Sequence, residues 1–143
     1  AVVYGLIERG VPKIHIVNRT FDKAEAFRAR FGPSVHPAHW DDIPKLLPKA
    51  RLLANATSLG MKGQGDLGID LSLLPKDAVV ADIVYVPLTT PLLAQAQARG
   101  LATSNGLDML LHQAVRGFEL WFGKRPEVTR DLFDLLAADI PKS

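Results

Sequence analysis

The chain has 143 residues, the size of one domain, and 48% of them are hydrophobic, which is ordinary for a globular core. It contains no cysteine, which excludes disulfides and thiolate metal sites, and a formal net charge of +2 is too small to argue for a nucleic-acid surface. No apolar run approaches the ~18–20 residues of a membrane span, and residues 1–9 include Glu8 and Arg9 without a signal-peptide cleavage pattern. The expectation is a soluble cytoplasmic protein with neither a membrane nor a nucleic-acid partner.

Residues 1–7 read as a helix already under way, with no cap ahead of it. Residues 13–17 form a short β-branched run that ends in the polar corner Asn18-Arg19-Thr20. Ala24, Phe27 and Phe31 then recur at helical spacing over 21–31, and Gly32-Pro33 stops that helix. A weak strand is expected at 34–36, a short helix at 40–47, and a strand at 51–55 ending in Thr57-Ser58. Residues 78–84 are nearly all apolar and predict a buried strand. Thr90-Pro91 opens a helix of about ten residues, since proline suits the first helical position, and Gly100 ends it. A strand at 101–103, a long helix at 107–122 ending at Gly123, and a last helix at 126–138 complete the series. No repeat, low-complexity stretch or linker divides the chain, so one domain over 1–143 is expected.

Strands separated by helices imply parallel pairing with right-handed crossovers. Continuous apolar runs fit a sheet covered on both faces. The predicted fold is therefore α/β, a Rossmann-like doubly wound parallel sheet. In such sheets ligands sit beyond the carboxyl ends of the strands. Function is accordingly sought at residues 18–23, 55–61, 83–87 and 105–113.

The corner at 18–23 is the most informative. In a dinucleotide fold this position faces the adenosine ribose, and NAD enzymes place an acid there to accept from the 2′-hydroxyl. Here neutral Asn18 is followed by Arg19, Thr20 stands at the helix cap, and Lys23 lies one turn on, near the positive end of the helix dipole. Arg19, Thr20 and Lys23 would converge on a 2′-phosphate, which predicts NADP. The alternative, that Thr20 only caps a helix and the two cations are solvated, stays open on these residues alone.

Three later blocks, Asn55 to Met61, Asp82 to Leu93 and Gly106 to Ala114, together resemble those of the shikimate dehydrogenase family. Asn55-Ala56-Thr57-Ser58-Leu59-Gly60-Met61 resembles its NATSxGM block. Asp82-Ile83-Val84-Tyr85-Val86-Pro87-Leu88 with Thr90-Pro91-Leu92-Leu93 resembles DxxYxPxxTPxL, and Gly106 to Ala114 resembles GxxMLxxQA. Trp121-Phe122-Gly123, Pro126 and Asn18-Arg19-Thr20 also match, and the blocks come in family order. The resemblance implies the C-terminal NADP-binding domain of an enzyme that reversibly reduces 3-dehydroshikimate to shikimate, on the route to chorismate and the aromatic amino acids. It implies that Asn18, Arg19, Thr20 and Lys23 hold the 2′-phosphate, with Lys23 where many relatives have arginine. It implies that Asn55, Ala56, Thr57 and Ser58 line the middle of the cofactor. It implies too that Ile83, the Gly106 carbonyl and Met109 approach the nicotinamide, and that Tyr85 and Gln113 reach the substrate. Met109 and Gln113, four apart, share a helix face, beside a solvated stripe of His112, Arg116 and Glu119.

His15, His36, His39 and His112 show no metal spacing, and His36 and His39 are read as solvated or structural loop residues. Asp41-Asp42 reads as a helix N-terminus. The family's first strand and glycine-rich turn are expected ahead of Ala1, as is a substrate domain bearing the lysine and aspartate of proton transfer. No catalytic residue is therefore assigned here, and these 143 residues alone are expected to be inactive. Alternatives are a quinate-using relative, a glutamyl-tRNA reductase type of NADP domain, or a non-catalytic nucleotide-binding module.

Overall fold

Short apolar runs become parallel strands, and the computed structural model describes residues 1–141. The chain divides after Pro48 into two compact units, Ala1–Pro48 and Lys49–Ser143. No composition shift marks the division, because it falls within a run of helical turns (α3, Ile43–Leu46, then a 3-10 turn at Leu47–Lys49).

In the first unit, α1 (Val2–Glu8) precedes β1 (Ile14–Val17), α2 (Phe21–Phe31) and β2 (Val35–Ala38). β1 and β2 pair in parallel with Ile14 opposite Val35 and His15 opposite His36. Alternation then sends Ile14, Ile16 and Val35 to one face. There they meet Val3, Leu6, Ile7, Val11 and Phe31 in one apolar cluster. His15 and His36 occupy the other face, with rings 5.5 Å apart. His36 is thus a strand residue and not a loop residue, because Pro37 does not stop the strand: β2 lies on the edge of this two-stranded sheet, where a missing N–H is tolerated.

Desolvation, then the nearby positive Lys13, then His36 hold the His15 imidazole below its ordinary value of 6.5. The folded state therefore takes up a proton less readily than the unfolded chain does. His15's contribution to stability is complete above pH 6.5 and is lost as pH falls through 6.5 toward the lower folded value. We expect the urea midpoint to fall slightly between pH 7.5 and pH 5.5, and His15→Gln to shrink that difference. An unchanged difference in the variant would refute the assignment.

In the second unit, β3 (Leu52–Asn55), β4 (Val79–Asp82) and β5 (Ala102–Ser104) form a parallel sheet in that order. α4 (Pro91–Ala98) crosses from β4 to β5 and buries Leu92, Leu93 and Ala96. The crossover from β3 to β4 departs from the expected alternation, since its only regular piece is a 3-10 turn at Leu71–Leu73. Its sequence carries glycines at 60, 63, 65 and 68 and no apolar period, so a helix there would have neither propensity nor a face to bury. Leu67, Ile69, Leu71 and Leu74 from this segment instead enter the core individually. The Arg99 guanidinium, just past α4, donates to the carbonyls of Leu71, Ser72 and Leu74 and ties the segment down.

The predicted strand at 78–84 stops at Asp82, because the Asp82 carboxylate captures the Val84 N–H, 3.0 Å away. α5 (Gly106–Phe122) buries Leu107, Leu111 and Val115, a stripe of every fourth residue, and ends at Gly123 in the left-handed conformation. The last helix, α6 (Arg130–Asp139), packs on α5 and begins four residues later than expected. Its cap is Thr129, whose hydroxyl accepts from Leu132 N at 3.2 Å, and not Pro126.

Candidate functional site at the carboxyl ends of the strands

The polar corner of the first unit follows β1 directly. Asn18 Oδ1 accepts from Thr20 N at 2.9 Å, a side-chain turn that sets the path into α2. Thr20 is extended, and its hydroxyl makes no capping bond, which corrects that expectation: Asn18 does the shaping and leaves the Thr20 hydroxyl available. Phe21 opens α2 with its ring stacked on His39, 4.0 Å between centroids. Arg19, Thr20 and Lys23 are all exposed. Among the described residues neither Arg19 nor Lys23 enters an ion pair, although Asp22 lies between them. The corner offers two unengaged cations and a hydroxyl at the positive end of a helix.

Asp41 and Asp42 begin the helical turns before α3. Asp42 accepts from His39 N at 3.3 Å and pairs with Lys45 at 2.9 Å, which is a helix-start role.

In the second unit the turn after β3 is built around Asn55, only 3% exposed. Its Oδ1 accepts from the Thr57 amide at 3.0 Å and the Thr57 hydroxyl at 2.8 Å. Its Nδ2 donates to Leu59 O and to Asp82 Oδ1, both at 3.0 Å. The whole hydrogen-bonding capacity of the amide is used. The Asn55 side chain therefore supports the turn from beneath. The Thr57 hydroxyl also accepts from Leu59 N, so it too is engaged. Ala56 and Ser58 remain exposed without such bonds. Gly60 follows with φ 93°, its α-carbon facing Thr90: an added β-carbon would lie 3.5 Å from Thr90 Cβ. Beyond it a hollow of about 350 Å3 opens between the 60–66 loop, Pro87 and Pro91. A larger one, about 580 Å3, lies in the first unit at Glu25 to Pro33, away from the strand ends.

The structure brings Ile83 and Gly106 together. Gly106 N donates to Val84 O at 3.2 Å. A β-carbon on Gly106 would meet Ile83 O at 2.1 Å and Val84 C at 2.7 Å. Only glycine lets the start of α5 approach this backbone. Asn105 caps α5, its Oδ1 accepting from Leu107 N and Asp108 N at 3.1 Å each. We expect Asn105→Ala to cost ~1 kcal/mol of stability in a urea melt; a change near zero would show that the cap bonds contribute nothing.

Met109 is half-buried and Gln113 exposed, both on the side of α5 away from the Leu107–Leu111–Val115 stripe. Tyr85 is 41% exposed just beyond β4. Arg116 pairs with Glu119 at 2.9 Å and Arg125 approaches the same carboxylate at 3.5 Å, so that stripe is a surface network. Among the described residues no helix is long and apolar enough to cross a membrane.

Two residues of the quoted blocks were given no part in the site from sequence. Asp82 and Thr90 are 3% and 0% exposed and hydrogen-bonded to each other at 2.7 Å. An acid closing an otherwise apolar strand was the available signal.

Parallel strands with polar groups collected past their carboxyl ends place the chain in the Rossmann-like α/β class. A family model described as the shikimate 5′-dehydrogenase C-terminal domain matches residues 106–130. The shikimate dehydrogenase (NADP(+)) of Rhodopseudomonas palustris (strain BisB18) is 63% identical over 140 residues, 98% of this chain and 50% of that protein. Among solved structures, the quinate dehydrogenase of Corynebacterium glutamicum in complex with NAD has a TM-score of 0.84 and 32% identity, covering 96% of this chain and 50% of that one. The shikimate 5-dehydrogenase of Thermus thermophilus in complex with NADP(H) and shikimate has a TM-score of 0.79 and 31% identity, covering 98% and 50%. The chain is thus similar over nearly its whole length to shikimate dehydrogenases, and it spans about half the length of the curated relatives it matches.

Proposed function

We propose that this chain is the NADP-binding domain, over residues 1–143, of a cytoplasmic enzyme that reversibly reduces 3-dehydroshikimate to shikimate, a step toward the aromatic amino acids. The observation that carries the cofactor reading is the corner after β1, where Arg19 and Lys23 are exposed and unpaired among the described residues. Two cations and a hydroxyl suit a dianionic phosphate, and no carboxylate stands where NAD enzymes carry one.

NADPH, when bound, supplies the hydride that reduces the substrate carbonyl. The chain's own part is to bind and orient. Arg19, Thr20 and Lys23 would hold the 2′-phosphate, aided by the turn that Asn18 imposes. In the second unit, Ala56 and Ser58 present the exposed edge of a rigid turn. Ile83, the Gly106 backbone and Met109 offer an apolar wall suited to one face of a nicotinamide. Tyr85 and Gln113 offer a hydroxyl and an amide that suit a polyhydroxylated carboxylate. The relatives named for shikimate and NADP support the substrate class.

The second reading, quinate oxidation with NAD, is favoured by the likeness to the Corynebacterium glutamicum protein. The test is turnover by the full-length protein with shikimate or quinate and with either dinucleotide. Preference for shikimate and NADP is the expected result. Preference for quinate and NAD would replace the proposal.

A further inference from the structure

We propose that Asp82 is a positioning residue for this reaction, a clasp that holds the 55–59 turn, the segment carrying Tyr85 and the start of α4 in one arrangement. The inference rests on the reading of the chain as a dehydrogenase domain. Asp82 ends β4 at the carboxyl edge of the sheet, where a carboxylate invites assignment as a proton-transfer group. The geometry assigns it otherwise. It is 3% exposed, and both oxygens point inward at donors. Oδ1 accepts from Asn55 Nδ2 and from Val84 N, each at 3.0 Å. Oδ2 accepts from the Thr90 hydroxyl at 2.7 Å.

Each donor carries the clasp into a different segment. Asn55 passes it to Thr57 and Leu59, whose amide and carbonyl shape the turn with exposed Ala56 and Ser58. Val84 lies one residue before Tyr85 and accepts from Gly106 N, which links the start of α5. Thr90 accepts from Leu93 N at 3.3 Å and so begins α4. Three buried donors converge on one group, so that group must be acceptor-only. Asparagine would set an amide NH2 against the Thr90 hydroxyl, which would then lose the acceptor for its own proton, and an unmade buried bond is costly.

The test uses the full-length protein with Asp82→Asn, Thr90→Val and Thr90→Ser, assayed where each is folded by circular dichroism. For Asp82→Asn and Thr90→Val we expect kcat to fall about 10- to 100-fold, because small displacements of contact groups are costly. KM values should change less than about threefold, with both limbs of the pH–rate profile unmoved. Thr90→Ser keeps the hydroxyl and should retain activity near the parent's.

Hydrogen exchange reads the clasp without any assay of turnover. In Asp82→Asn, protection of residues 55–60 and of 83–86 should fall together, while that of Leu111 and Val115 in α5 persists. A displaced limb of the pH profile would make Asp82 a proton-transfer group, and unchanged kcat in the folded variants would make it merely structural. Loss of protection in one segment alone would break the clasp. If the parent protein does not turn over shikimate at all, the dehydrogenase reading fails, and the exchange experiment still decides whether the three segments are coupled.

Discussion

Gly106→Ala is expected to destabilise the protein by about 3 kcal/mol or more, at or beyond the upper end for overpacking. The added β-carbon would lie 2.1 Å from Ile83 O and 2.5 Å from Ile83 C. These are backbone atoms, held by β4 on one side and by the Asp82–Val84 bond on the other, so no side chain can swing aside. Relief requires α5 to back away from residues 83–84, which would break the Gly106 to Val84 hydrogen bond and move Met109 and Gln113 with it. Urea melts measure the first effect and nucleotide titration the second. A variant as stable as its parent, binding nucleotide equally well, would show that the close approach is unimportant. Gly117→Ala is the natural control, since there an added β-carbon finds its nearest neighbour at 4.0 Å, the far end of the Trp121 side chain.

The second large effect is on cofactor choice. Arg19→Ala should weaken NADPH binding roughly 10- to 100-fold, from the loss of one or two charge-assisted hydrogen bonds. NADH binding should change little, because its ribose offers no phosphate to grip. Adding Lys23→Ala should remove most of the remaining preference. Both cations are exposed, so added salt should erode the preference of the parent protein as well. Fluorescence titration of the full-length protein with each dinucleotide measures this. Equal affinities in the parent, or equal losses for both dinucleotides in Arg19→Ala, would sink the phosphate clamp.

Elements whose signals are local were readable from residue order. The helix over 21–31 lies where its spacing and Gly32-Pro33 put it, and Thr90-Pro91 opens α4 as expected. Misreadings arise where a side chain overrules the pattern. Residues 83–84 are apolar enough to extend β4, but the Asp82 carboxylate turns the backbone first. Pro126 suits a first helical position, yet the Thr129 hydroxyl sets the start of α6.

The site divides in the same way. Arg19, Thr20, Lys23, Ala56, Ser58, Tyr85 and Gln113 are exposed. Asn55 shares a block with Ala56 and Ser58 but is buried with its side-chain amide fully engaged, a difference that no linear pattern marks. The division of the chain after Pro48 was invisible for a related reason, since it depends on contacts made far along the chain.

The saturated amide of Asn55 bears on how binding proceeds. Since its four hydrogen bonds close inside the protein, the surface above it is preorganised, and little conformational entropy remains to be surrendered when a dinucleotide lands there. Association at this turn should then resemble docking onto a finished template, with affinity differences among analogues expressed mainly as differences in residence time.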